Sequence, residues 1–326
     1  MKVRRKKRGW KRVSWEIRYW LASVALENFA ASLRFIPFTW TFSFIEGIGG
    51  RIAWRLSGKY KKKMWDNLTA TFHNSVTDDE KRRIAHESFL TMLRGFMETM
   101  YSLHLYRKRF YPRTALVGRE NLEQALTLGK GVIAVSAHLG TFTLLGAKIN
   151  ASGFPLTWIM GGQPHPRLAR MWRQMGERVG TSFIMSDSSF TFHREILRVL
   201  RKGEIVGFIC DENQKQGGVA VEFLGRAMAL PVGPAVYHLK TGAPILPMFI
   251  LRQEGGGHKV IIDPPLEARL SGDEERDVFT IVDQIARVME SYIKRYPGQW
   301  SWISKRRIRT RTRRKTFLEG RATPLS

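Results

Sequence analysis

One histidine in this chain is placed where a base can work. Residues 131–143 read Gly-Val-Ile-Ala-Val-Ser-Ala-His-Leu-Gly-Thr-Phe-Thr, an apolar strand-type run that delivers His138 to a turn opening a helix. A side chain at the end of a buried strand emerges at the edge of a sheet. Imidazole is the group whose proton transfers are matched to neutral pH, so His138 reads as a general base. Gly140 permits close backbone approach. Free N–H groups at the start of the following helix, near Thr141, can face developing negative charge. Taken alone, His138 also reads as a hydrogen-bonded structural residue.

The elements that must position this residue are legible around it. From about residue 114, apolar runs alternate with amphipathic segments. Strands are expected at 132–137, 155–160, 182–185 and 205–210, with further candidates at 219–223, 245–251 and 259–262. Helices are expected over 122–128, 166–179, 190–201 and 274–295. That alternation predicts an α/β fold with a mostly parallel central sheet flanked by helices on both faces. Residues 55–108 read as helical, with Asp78 and Asp79 at a helix start. Neither an internal repeat nor a low-complexity linker divides the chain.

The chain has 326 residues, an apolar fraction of 43% and a formal net charge of +26. It is long and apolar enough for a full core, and the charge calls for an anionic partner. Basic residues crowd positions 2–12, and a second basic run occupies 305–315 without an acid. The first run directly precedes an aromatic and aliphatic stretch, the arrangement of a polybasic segment beside a membrane. No nucleic-acid-binding motif accompanies the charge, so an anionic membrane surface is favoured over nucleic acid. Residues 19–33 are apolar except for Glu27 and Asn28, Arg34 interrupts, and 35–48 resume around Pro37. No run reaches the roughly 18–20 residues of a clean spanning helix. Two short embedded or interfacial segments are therefore expected, or a hydrophobic hairpin packed on the domain. Cys210, the single cysteine, excludes an internal disulfide and a cysteine zinc cluster. It reads as a small buried apolar residue, with a thioester nucleophile as the other reading.

Five ordered blocks carry a resemblance. They are 136–144 around His138; Gln163-Pro-His-Pro166 followed by Arg173 and Arg178; Leu200-Arg-Lys-Gly-Glu204 leading to Cys210-Asp-Glu-Asn213; 221–225 with 230–234 and 242–247; and Tyr296-Pro-Gly-Gln-Trp-Ser-Trp302. Together, over about residues 50–310, they resemble the bacterial lipid A biosynthesis (late) acyltransferases of the lysophospholipid acyltransferase superfamily. The resemblance implies a glycerolipid acyltransferase-like fold and no cofactor. It also implies transfer of a fatty acyl chain from acyl carrier protein or coenzyme A to a hydroxyl of a membrane lipid or glycolipid. His138 would take the hydroxyl proton, and Gly140, Thr141, Thr143, Arg173 and Arg178 would contact substrate. The family's pattern carries a carboxylate where this chain has Thr143, and its second acid in the Asp-x-Asp signature is Asn213 here.

Three consequences of that departure stay open. Asp211, Glu212 or Glu222 can supply the missing acid; the enzyme can work with weaker orientation; or the protein is a catalytically degenerate lipid-binding or assembly partner. The arginines alternatively form a solvated helix face, Asp211 caps a turn, and Glu222 points to water. Trp300 and Trp302 read as an interface anchor or as core. The expected division is a membrane-associated segment over 1–48, an acyltransferase-like domain over 49–304 and a basic tail over 305–326. The expected location is the cytoplasmic face of a cell inner membrane.

Overall fold

Both faces of the central sheet are covered, which is why its strands read as unbroken apolar runs rather than alternating ones. The computed structural model describes residues 9–163, 165–186, 190–214 and 217–303, with side chains from residue 13 onward. Most of the first basic run, Pro164 and the tail expected over 305–326 lie outside the described residues. Among the described residues nine strands follow in chain order: β1 Thr114–Val117, β2 Val132–Ser136, β3 Leu156–Met160, β4 Ser182–Met185, β5 Ile205–Ile209, β6 Gly218–Phe223, β7 Arg226–Pro231, β8 Ile245–Arg252 and β9 His258–Ile262. Seven of them form one sheet in the order β1-β9-β8-β2-β5-β3-β4. Every pairing in it is parallel except β8 with β9. The expected α/β architecture with a mostly parallel sheet is what the chain adopts.

Two differences from the sequence reading have local causes. The run at 219–223 does not join the sheet but pairs with β7 as an antiparallel hairpin. Its tight turn at Leu224 and Gly225, both at positive φ, closes a strand pair too short-range for a parallel crossover. The short β1 and β7, Thr114–Val117 and Arg226–Pro231, are too brief for a period to mark them as strands.

Eleven helices complete the described fold: α1 Gly9–Ser32, α2 Phe38–Glu46, α3 Ile48–Leu56, α4 Gly58–Phe72, α5 Asp78–Leu105, α6 Arg119–Leu126, α7 Thr143–Ala151, α8 Pro166–Arg178, α9 Phe190–Arg201, α10 Gly233–Thr241 and α11 Glu274–Arg295. Side chains of one strand alternate between sheet faces. Ile133 and Val135 of β2 therefore pack with Ile196 of α9, Ala235 of α10 and Ile285 of α11. Val132 and Ala134 pack with Leu122 of α6, Leu144 of α7 and Met175 of α8 on the other face. The long α5 joins both cores, through Ile84 and Phe89 on one side and Met97 and Met100 on the other. It starts at Asp78 and Asp79 as expected, and Thr77 caps it by accepting from the Glu80 N–H.

The N-terminal helices pack on this domain through Ala30, Leu33 and Ile45. Along Ile36, α2 and α3 they leave apolar residues exposed at every fourth position of the sequence: Ile36, Trp40, Phe44, Ile48, Ile52 and Leu56. Trp40 is 72% exposed and Leu56 82%. No helix among the described residues is long and apolar enough to cross a membrane. Trp300 and Trp302 are not anchors: both are buried in the core, edge to face with each other at 4.8 Å.

Candidate active site

The site follows from strand register. Parallel β2 and β5 run side by side with Ser136 opposite Ile209, and the Cys210 N–H continues the ladder by donating to the Ser136 carbonyl. Two residues beyond each strand end, the same register sets His138 beside Asp211. The carboxyl ends of neighbouring strands are where open parallel sheets bind ligands.

Asp211 holds the histidine at two points. Its Oδ1 lies 2.8 Å from His138 Nδ1, and its Oδ2 accepts the His138 backbone N–H at 2.9 Å. The buried indole of Trp300 donates to Oδ2 at 2.7 Å. A carboxylate satisfied by these donors stays ionised although its side chain is only 2% exposed. Burial works to raise Asp211, but the His138 charge, the ring hydrogen bond and Trp300 outweigh it and lower its pKa. Burial likewise works against charge on His138, and Asp211 outweighs it, raising the imidazole to about 9. With Nδ1 donating to Asp211, Nε2 is the nitrogen left to accept a proton. Phe142 packs edge to face on the ring at 4.8 Å.

His138 lines a cavity of about 790 Å³, within the usual size range of ligand cavities. Its wall is largely apolar, from Phe142, Trp158, Met160, Trp172, Phe183, Phe192 and Phe208. Gly146 and Gly207 make room for the Trp158 indole, since a Cβ at either would lie within 2.4 Å of it. Glu212 and Thr143 also line the cavity, joined by Thr99 of α5, whose hydroxyl meets that of Thr143 at 2.7 Å. The N–H groups of Phe142 and Thr143, at the start of α7, meet no backbone acceptor among the described residues. No metal-binding cluster occurs among the described residues.

Other sequence candidates fall elsewhere. Gly140 shapes the turn rather than facing substrate: it sits at φ +57°, a Cβ would lie 2.3 Å from the Ile250 carbonyl, and its N–H donates to Gln299. Thr141 is buried and donates to Glu98, away from the cavity. Glu98 in turn pairs with Arg252 and His258, and although burial favours its neutral form these partners hold it at about 2. Glu222 points to solvent because Val221 and Phe223 take the inner positions of β6. Arg173 and Arg178 are exposed, because α8 turns Met171 and Met175 inward. Neither arginine lines the cavity. Cys210 is fully buried and burial pushes its thiol far above the usual range, so it remains a protonated core residue. Two contributors went unread in the sequence: the indole of Trp300 as support for Asp211, and Thr99, contributed by a helix with no motif of its own.

A histidine braced by a buried carboxylate and lining an apolar cavity at the carboxyl edge of a parallel sheet is an arrangement suited to acyl transfer. Residues 9–309 match the family described as bacterial lipid A biosynthesis acyltransferase, and the chain belongs to that family. Relatives include a lipid A biosynthesis acyltransferase of Haemophilus influenzae, 24% identical over 84% of each chain. A lipid A biosynthesis lauroyltransferase of Escherichia coli is 24% identical over 90% of this chain and 93% of its own. A phosphatidylinositol mannoside acyltransferase of Mycolicibacterium smegmatis is 25% identical over 56% of this chain and 59% of its own.

With Asp211 already on Nδ1, position 143 has no vacancy for an acid. Thr143→Glu is expected to lower acyl transfer several-fold rather than raise it. A second carboxylate beside the pair competes for one histidine and adds charge to an apolar wall. Initial rates of wild type and variant at saturating donor decide this, and a faster variant would show that His138 lacks orientation.

Proposed function

We propose that this protein moves a fatty acyl chain from a thioester, carried by acyl carrier protein or coenzyme A, to a hydroxyl of a lipid A-type glycolipid at a membrane surface. The observation that carries the reading is the His138–Asp211 pair opening onto the apolar cavity of about 790 Å³. The acyl chain lies along Trp158, Trp172 and Phe183, bringing its thioester carbonyl to His138. Nε2 takes the proton of the acceptor hydroxyl while the oxygen attacks the carbonyl carbon. The N–H groups of Phe142 and Thr143 face the negative charge that forms on the carbonyl oxygen. As the C–S bond breaks, the imidazolium returns its proton to the departing thiolate, leaving an ester and a free thiol. Asp211 stabilises the imidazolium between the two transfers.

The acceptor and product are amphiphiles, and the apolar row from Ile36 to Leu56 suits an enzyme seated in one leaflet. The test uses purified full-length protein, acyl carrier protein loaded with a fatty acid, and a lipid A precursor, with products read by mass spectrometry. Acylated glycolipid is expected. Trp40→Glu/Phe44→Glu is expected to lose transfer to acceptor in vesicles while keeping transfer to acceptor dispersed in detergent. Absence of transfer across a panel of donors and glycolipid acceptors would overturn the enzyme–substrate assignment. Equal loss in vesicles and detergent would overturn the seating role of α2.

A further inference from the structure

A second cavity, of about 880 Å³, lies across α5 and the 138–143 turn from the first: Glu98 lines this one and Thr99 the other. Seven arginine or lysine side chains line it against four glutamates. Two of those acids are already engaged, Glu98 with Arg252 and Glu46 with Arg94. Arg109, Arg113, Lys259 and Arg295 line the same cavity, and none has a carboxylate within ion-pair distance among the described residues. The Arg109 guanidinium sits over the Phe38 ring, 3.8 Å from its centroid. Burial and the neighbouring Arg113 charge both disfavour its cationic form. With seven cationic side chains against four glutamates, Glu87 and Glu254 being the other two, the recess keeps an excess of positive charge that an incoming anion stabilises. The buried His258 also lines the cavity, and its Nδ1 has no hydrogen-bond partner. The backbone of Gly255, Gly256 and Gly257 forms one wall without side-chain bulk.

We propose that this cavity binds the phosphate of an anionic lipid headgroup. A lipid source is favoured by position. Phe38 and Phe42 of α2 wall the cavity, while Trp40 and Phe44 of the same helix are 72% and 63% exposed on the outside. A lipid with its chains beside Trp40 presents its phosphate at Arg109. The choice of a lipid over a free anion rests on the interfacial seating proposed above; the recognition of phosphate does not.

The experiment is sedimentation of the full-length protein with phosphatidylcholine vesicles carrying either phosphatidic acid or oleate at matched surface charge. Calorimetric titration with inorganic phosphate accompanies it. Wild type is expected to favour phosphatidic acid by about tenfold, the size of one strong charged hydrogen bond. Arg109→Gln/Arg113→Gln is expected to erase that preference. Arg201→Gln/Lys202→Gln removes equal charge from an exposed site lining neither cavity and is expected to keep it. Lys259→Gln serves as a milder variant if the double change lowers the melting temperature. Vesicle binding without preference for phosphate over oleate would overturn the site and leave the interfacial seating standing. Saturable binding of inorganic phosphate with no vesicle binding would overturn both the lipid source and that seating. Equal losses in the cavity and control variants would reduce the effect to general surface charge and overturn the proposal.

Discussion

His138→Ala is expected to lower turnover by about 10²–10⁴-fold, the usual contribution of a positioned general base. The second imidazole lining the cavity, His193, is engaged at Nδ1 by the Tyr237 hydroxyl at 2.6 Å and has no carboxylate bracing it among the described residues. Glu212 lines the cavity, but no hydrogen bond holds its carboxylate against the ring among the described residues, and Thr99 and Thr143 are hydroxyls committed to each other. The substitution should spare the fold, because Asp211 keeps two donors, the backbone N–H of residue 138 and the Trp300 indole. It still leaves a buried carboxylate without its cationic partner, so His138→Gln, which retains a side-chain donor, provides the check. Both variants should lose turnover while donor binding, read by KM or by direct titration, changes little. Turnover within tenfold of wild type in either folded variant would remove His138 from the reaction.

Asp211→Asn should lose turnover on a similar scale and, unlike a merely structural change, move the pH profile. In the wild type Asp211 raises His138 to about 9. A base must be neutral, so kcat/KM should climb through the neutral range and level only above about pH 9. Removing the charge lets His138 fall toward the ordinary imidazole value near 6.5 or, given its burial, below it. The rising limb therefore moves to lower pH while the plateau drops by about 10²–10⁴-fold, since tautomer control and imidazolium stabilisation are both lost. At neutral pH the larger neutral fraction masks part of the loss, so the full deficit appears only above pH 9. A profile of unchanged shape would argue that Asp211 acts only through the fold.

The same pair ties stability to pH with a definite sign. The lowered Asp211 contributes stability present above its unfolded value, lost as the solution is acidified through its folded value. The raised His138 contributes stability complete below about 6.5, lost as pH rises through about 9. Melting temperature should therefore be greatest in the mildly acidic range, and Asp211→Asn should flatten that dependence.

The row of apolar residues at every fourth position from Ile36 to Leu56 was present in the sequence as residues but not as a surface. Apolar content alone does not distinguish a helix face packed inward from one left outside. Trp300 shows the converse. Aromatic residues near basic ones suit a membrane interface, yet Trp300 is 1% exposed and spends its N–H on Asp211. Arg173 and Arg178 lie in a block matching the family pattern, but the turn of α8 carries them to solvent.

The sequence by itself determined the class of fold, because strands covered on both faces must be continuously apolar and the helices between them must be amphipathic. It also placed His138 at a strand end, since a polar residue closing an apolar run has nowhere else to go. Which acid serves that histidine was decided only by tertiary structure. Asp211, Glu212 and Glu222 are equivalent as residues in a chain. The parallel register of β2 with β5 advances both strands in step, so that residues two beyond Ser136 and Ile209 meet. Contacts between positions 73 residues apart come from pairing between strands, and no local pattern encodes them.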